Sequence, residues 1–205
     1  MHRALVATAA VVVIAGSVTT ATAVARDRGP STAHAELRLA DGTDVGDVRF
    51  RKLRDTTRVS VSLAVPTGVT AARAFHGFHV HANNDPANGE GCVADPGQPP
   101  STWFVSADGH LARPGETHGN HAGDMPVLHL DADGTAETTF EIDRFTVAEL
   151  VGGAVILHAG ADNYANVPVG AGPNQYMPNS AQATDLTSRT GNAGDRVACG
   201  EIDTN

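Results

Sequence analysis

Three histidines and an aspartate fall within fifteen residues, in the stretch His110 to Asp124 that reads HLARPGETHGNHAGD. Pro114, with Gly109, Gly115, Gly119 and Gly123, keeps the stretch out of regular structure. A loop of that composition can fold His110, His118, His121 and Asp124 around one point. Three imidazole nitrogens and one carboxylate oxygen in a tetrahedron suit Zn²⁺. The bland alternative is a polar surface loop that happens to be rich in histidine, so the rest of the chain must decide between them.

A second group lies upstream, in AFHGFHVHA at residues 74–82. Strand alternation puts Phe78 and Val80 on one face and His79 and His81 on the other. Two imidazoles spaced this way stand about 6–7 Å apart, near enough to hold one ion between them. A solvated pair explains the spacing equally well on its own. His76 and His129 lie outside the clusters and read as structural.

The elements that must position these residues follow a period of two. Ala35, Leu37 and Leu39 alternate with polar neighbours, Asp41-Gly42 turns, and Val45 to Leu53 reads as the next strand. Val59, Val61, Leu63 and Val65 alternate with Arg58, Ser60 and Ser62 until Pro66-Thr67-Gly68 ends the run. Residues 74–82 form the fourth strand. Val127 to Leu130 and Thr135 to Ile142 make a hairpin across Asp133-Gly134, and Ala154 to Leu157 and Arg196 to Ile202 complete the set. Evenly spaced strands and turns, with no helical pattern competing in the first half, predict an all-β antiparallel fold closed as a barrel or sandwich. Two long irregular stretches interrupt it, 83–109 and 159–195, and loops of that length are usually functional or tied down.

The chain has 205 residues, and the first part is not expected to belong to the fold. His2 and Arg3, the apolar run Leu5–Ala15 and small residues up to Ala25 predict a secretory signal over 1–25, too short in its apolar part for a stable membrane span. No cysteine adjoins the cleavage region, which excludes lipid attachment there. A polar tail over 26–32 and one domain over 33–205 are expected to follow. Export makes a Cys92–Cys199 disulfide the expectation. The net charge of −9, with Lys52 the only lysine, and an aromatic fraction of 4% argue against nucleic-acid binding.

Five motifs in order resemble the copper/zinc superoxide dismutase family: GFHVH at Gly77–His81, SADGH at Ser106–His110, HAGD at His121–Asp124, HAGADN at His158–Asn163 and GNAGDRVACG at Gly191–Gly200. The resemblance covers nearly the whole mature chain. It implies an eight-stranded Greek-key barrel, an immunoglobulin-like sandwich, with copper and zinc held on its outer face by two long loops. It assigns His79, His81, His110 and His158 to copper and His110, His118, His121 and Asp124 to zinc, with His110 bridging the two ions. Asp162 matches a carboxylate linking a copper histidine to a zinc histidine, and Cys92 and Cys199 match the family disulfide. Arg196 matches an arginine beside the copper, with Thr190 opposite it at the channel mouth. The implied activity is conversion of superoxide, a small anion, to oxygen and hydrogen peroxide. Bacterial members are monomers or homodimers, so the resemblance admits either.

The chain departs from the family pattern in three places. Only two residues separate His118 from His121, a shorter zinc loop than expected. The stretch 159–195 is long, with Pro168, Pro173 and Pro178 stiffening it, and its acidic residues do not line up with the family's charge-guiding ones. Asp108 and Glu201 stand where small or apolar residues are expected. The rival from another class is a noncatalytic metal-binding or copper-delivery module on the same fold. Such relatives usually lose a copper histidine or the arginine, and this chain keeps His79, His81, His110, His158 and Arg196.

Overall fold

The computed structural model describes residues 29–164 and 181–204. The expected signal over 1–25, the first residues of the tail, and Pro168, Pro173 and Pro178 lie outside the described residues. Three antiparallel strands open the fold: β1 (Thr32–Leu39), β2 (Asp44–Lys52) and β3 (Thr57–Ala64). Their alternation buries Ala33, Ala35 and Leu37 from β1 and Val59, Val61 and Leu63 from β3 in one core. In β2 the buried positions are Val45, Val48 and Phe50, a slip of one residue. The slip is a bulge at Gly46, whose φ of 120° opposes the register shift between Leu37 and Arg38. Each large buried side chain of this kind contributes about 1.5–3 kcal/mol.

Residues 74–82 form two strands rather than the single one expected. β4 (Ala74–His76) and β5 (Phe78–His81) are separated at Gly77, whose N–H donates to Gly160 O at 2.8 Å and whose carbonyl accepts from His158 N at 2.9 Å. A Cβ on Gly77 would stand 2.7 Å from Ala193 Cβ and 2.8 Å from Asp162 Oδ1, so this crossing needs glycine. After it come β6 (Leu128–Leu130), β7 (Thr135–Ile142), a one-turn helix α1 (Val147–Leu150) and β8 (Ala154–His158). Helix α2 (Ala181–Thr190) and β9 (Arg196–Glu201) follow. The stretch 159–195 therefore contains a helix where only a loop was expected. The sequence AQATDLTSRT lacks glycine and proline and is followed at once by Gly191, which is consistent with a short helix and its stop.

The main sheet runs β5-β8-β9-β1-β2-β3-β7, and β4 pairs with β6. Its edge strands β5 and β7 are continued in the chain by β4 and β6, so the β4–β6 pair closes the curled sheet on itself. This is the antiparallel Greek-key barrel expected, with nine strands among the described residues because one is split. Phe78, Val80, Val155 and Leu157 point into the barrel core. On the outer side of β8 and β9, the stretch 83–109 packs Phe104 and Ala107 over Ala154, Ile156 and Cys199. That second cluster glues the first long loop to the barrel wall beside the histidines.

Candidate metal centre

β5 is the platform of the site. With Phe78 and Val80 committed to the core, His79 and His81 face outward, their ring centroids 6.4 Å apart, yet both are fully buried under the loops. The free edge of β5 carries the loop from His110 to Asp124. Leu111 N donates to Val80 O at 2.8 Å, Val80 N to Gly123 O at 2.9 Å and Ala82 N to Gly109 O at 2.9 Å. These bonds pair His81 with His110 and His79 with Asp124 across the edge. On the other side, β8 ends in a bulge between Leu157 and His158, which places His158 beside Arg196 of β9.

The side chains sort into two sets. In the first, one nitrogen each from His79, His81, His110 and His158 lies within 4.8 Å of every other. The buried nitrogens without a partner are His79 Nδ1, His81 Nε2, His110 Nε2 and His158 Nε2. The opposite nitrogens are occupied: His79 Nε2 by Asp162 Oδ2 at 2.8 Å, His81 Nδ1 by Asp108 O at 2.8 Å and His158 Nδ1 by Gly194 O at 3.2 Å. Partners on the far nitrogen fix which atom of each ring is offered to an ion. Four buried, convergent, unpartnered imidazole nitrogens are costly unless an ion satisfies them, and nitrogen ligands of this kind fit copper.

The second set meets at Asp124 Oδ1. His110 Nδ1 is 2.9 Å from it, His118 Nδ1 3.3 Å and His121 Nδ1 3.4 Å, while the Nδ1 atoms of His110 and His121 are 3.3 Å apart. A tetrahedral Zn²⁺ with bonds of about 2.0–2.1 Å needs ligand atoms about 3.3 Å from one another, close to the separation of Asp124 Oδ1 from each of the three Nδ1 atoms, and three imidazoles with a carboxylate are a donor set that zinc accepts. His79 also lies within 4.8 Å of His110, His118 and Asp124. Its Nε2 is already held by Asp162, leaving Nδ1 for the first set. The short His118–His121 spacing therefore still brings both rings to the carboxylate. Asp124 Oδ2 is fixed by the N–H groups of Gly119 and His121 at 2.7 and 3.0 Å.

Burial, reinforced by neighbouring imidazoles, holds the pKa of His79, His81 and His158 well below 6.5. Burial lowers His110 as well, with Asp124 opposing. Burial also pushes Asp124 upward, but hydrogen bonds from His110 and His118 outweigh it and hold the carboxyl well below its ordinary range. Each shift favours the form that ligates a metal. Asp162 differs: burial raises its pKa. Its Oδ2 holds His79 and its Oδ1 lies 3.6 Å from His118 Nε2, so one carboxylate stands between the two sets.

Arg196 donates its guanidinium to the carbonyls of Phe104 and Asp108. Both acceptors lie in the stretch 83–109, which the disulfide between Cys92 and Cys199 ties to β9. Thr190, the last residue of α2, is half-buried. His76 is buried but belongs to neither set, its ring bonded to His158 O and Ala71 O, and His129 lies on Phe75 at the surface. The copper/zinc superoxide dismutase (SODC) family profile matches residues 45–202 of this chain.

The chain belongs to the copper/zinc superoxide dismutase family. The copper-zinc superoxide dismutase of Mycolicibacterium paratuberculosis is 36% identical over 172 residues, covering 81% of this chain and 71% of that protein. The copper-zinc superoxide dismutase of Mycobacterium tuberculosis is 36% identical over 182 residues, covering 85% and 71%. Among solved structures, a double mutant of a superoxide-dismutase-like protein from Bacillus subtilis superposes with a TM-score of 0.56 at 24% identity, covering 82% of this chain and 94% of that one. That likeness concerns the fold.

Three residues at this dismutase-family centre had no signal in their spacing. Arg144 donates to His121 O and Gly119 O at 3.0 Å each, Glu116 accepts from Ala122 N at 2.9 Å, and Tyr164 stacks on His118 with ring centroids 5.7 Å apart. Only Glu116 lies inside a motif-bearing stretch. The other two are brought in by tertiary structure, which periodicity does not report.

Proposed function

We propose that this protein is an exported superoxide dismutase, turning two superoxide anions and two protons into one O₂ and one H₂O₂. The observation that carries the reading is the convergence of His79 Nδ1, His81 Nε2, His110 Nε2 and His158 Nε2 beside the Arg196 guanidinium. Copper held by that set supplies reversible one-electron exchange with superoxide, and zinc held by His110, His118, His121 and Asp124 supplies a fixed positive charge.

The chain's own groups do the rest. His110 presents Nε2 to the first set and Nδ1 to the second, so it is the ring that can hold a proton at Nε2 and pass it to the reduced anion. Asp162 locks the orientation of His79 against His118. Arg196 stays charged at neutral pH. Two main-chain carbonyls hold it, and it retains further N–H donors for a small anion. Against a net charge of −9 this local positive charge directs capture, and the family resemblance puts Thr190 opposite it. For export, the support is the 1–25 sequence pattern and the disulfide, which fits an oxidising compartment. Among the described residues no helix is long and apolar enough to cross a membrane.

His79→Ala removes one ligand of the first set and leaves the second intact. We expect copper-dependent activity to fall at least a hundredfold while one zinc per chain remains, read by metal analysis and superoxide decay on the same sample. Full activity in that variant would remove His79 from the copper site.

A further inference from the structure

Asp108 adopts φ 62°, ψ −156°, a region in which glycine is the ordinary occupant and a side chain is strained. Such a residue persists only where its surroundings over-determine it, and here they do so from two directions. Its carboxylate Oδ2 accepts the N–H groups of Asn84 at 2.6 Å and Asp85 at 2.7 Å, and Oδ1 accepts Asn88 Nδ2 at 2.9 Å. Its main-chain carbonyl accepts His81 Nδ1 at 2.8 Å and one guanidinium nitrogen of Arg196. The side chain is therefore anchored in the segment that follows β5, while the carbonyl of the same residue is aimed into the site.

That carbonyl is shared by a ring of the four-histidine set and by the arginine beside it. Its direction depends on the peptide between Asp108 and Gly109, and glycine on one side leaves that peptide free to rotate unless something fixes the other side. Rotation would cost the buried His81 ring its partner and Arg196 one of its two acceptors. Three hydrogen bonds to one carboxylate, two of them from consecutive backbone N–H groups, fix it.

We propose that the Asp108 carboxylate is a positioning group for the site: by holding its own peptide, it sets the orientation of His81 and of Arg196 together. This rests on the reading of the four-histidine set as a copper site. Asp108 touches neither the ion nor the anion in this scheme; it acts through its carbonyl. A glycine, which tolerates the backbone conformation without strain, would lose this function, although it would be the easier residue to accommodate.

The test uses the copper- and zinc-loaded protein and azide, a small anion that binds Cu(II) and reports the Arg196 side of the site optically. Frozen-solution electron paramagnetic resonance reports the His81 side. Asp108→Gly keeps the backbone and removes the carboxylate. Asp108→Asn keeps an oxygen for the two N–H groups, and the Asn88 amide can turn to accept from the new NH₂. We expect Asp108→Gly to keep one copper per chain, with an azide dissociation constant raised roughly tenfold and an altered Cu(II) spectrum, and Asp108→Asn to stay within about twofold of the parent. Azide affinity and spectrum unchanged in Asp108→Gly would overturn the proposal. Equal weakening in both variants would also overturn it, because charge rather than hydrogen bonding would then be responsible. A parent protein that takes up no copper overturns the copper reading itself, and this inference with it.

Discussion

His79, His81 and His158 are buried as neutral rings, and that has a cost when no ion is bound. Burial holds their pKa well below 6.5 in the folded chain, whereas the unfolded chain takes up those protons near 6.5. Between the two values the unfolded state binds more protons, so stability rises with pH. The metal-free protein should therefore lose stability progressively as pH falls below about 6.5. Asp162, with its raised pKa, works in the opposite sense, against these rings and against the lowered His110 and Asp124. Denaturant midpoints of the metal-free protein from pH 7.5 to 5 measure this, and a flat profile would mean the rings are not buried as neutral bases. The same residues show how far type and spacing reach. His79 and His81 were legible as a pair because a strand puts alternate residues on one face. His158 was assigned only through the HAGADN motif, because its position depends on a bulge that alternation does not encode.

At the scale of elements, the short zinc loop is where the structure adds most. Its His118–His121 spacing is shorter than expected, and the Nδ1 atoms of both rings lie within 3.4 Å of Asp124 Oδ1. Braces outside the ligand set maintain this. Arg144, from the turn after β7, holds two carbonyls of the loop, and Glu116 holds the N–H groups of Arg113 and Ala122. Arg144→Ala should therefore lower zinc affinity about tenfold while leaving the copper content unchanged, measured by competition with a chelator. Equal zinc affinity in the variant would show that the loop holds its shape unaided. The strands, the turns and the order of the motifs were readable because each rests on local periodicity or on glycine and proline. The break at Gly77 and helix α2 were not. The first depends on the close approach of Ala193 and Asp162, and the second lies in a stretch whose prolines and length suggested loop throughout. The departures at Asp108 and Glu201 have a common structural result: Asp108 holds Asn84, Asp85 and Asn88, and Glu201 accepts Cys92 N at 3.2 Å, so both fasten the disulfide loop.

For the whole molecule, the disulfide joins residues 107 apart and links the loop that carries the Arg196 acceptors to the last strand. Closing a loop of that length stabilises by about 4–5 kcal/mol in the chain-entropy model. Replacing Cys92 and Cys199 together by serine should lower the thermal midpoint of the metal-free protein by roughly 8–20 °C. An unchanged midpoint would assign the loop's position to the Asp108 and Glu201 hydrogen bonds alone. The barrel, the two loops and the disulfide together keep the six histidines of the two sets buried in a protein of net charge −9, with Arg196 held beside the first set. The most direct test of what that assembly does is the superoxide decay rate of the protein after reconstitution, with copper and zinc counted on the same sample. We expect decay to approach the diffusional range of about 10⁸–10⁹ M⁻¹s⁻¹ with one copper and one zinc per chain. One bound copper per chain with decay no faster than in the His79→Ala variant would contradict the enzyme and leave a metal carrier.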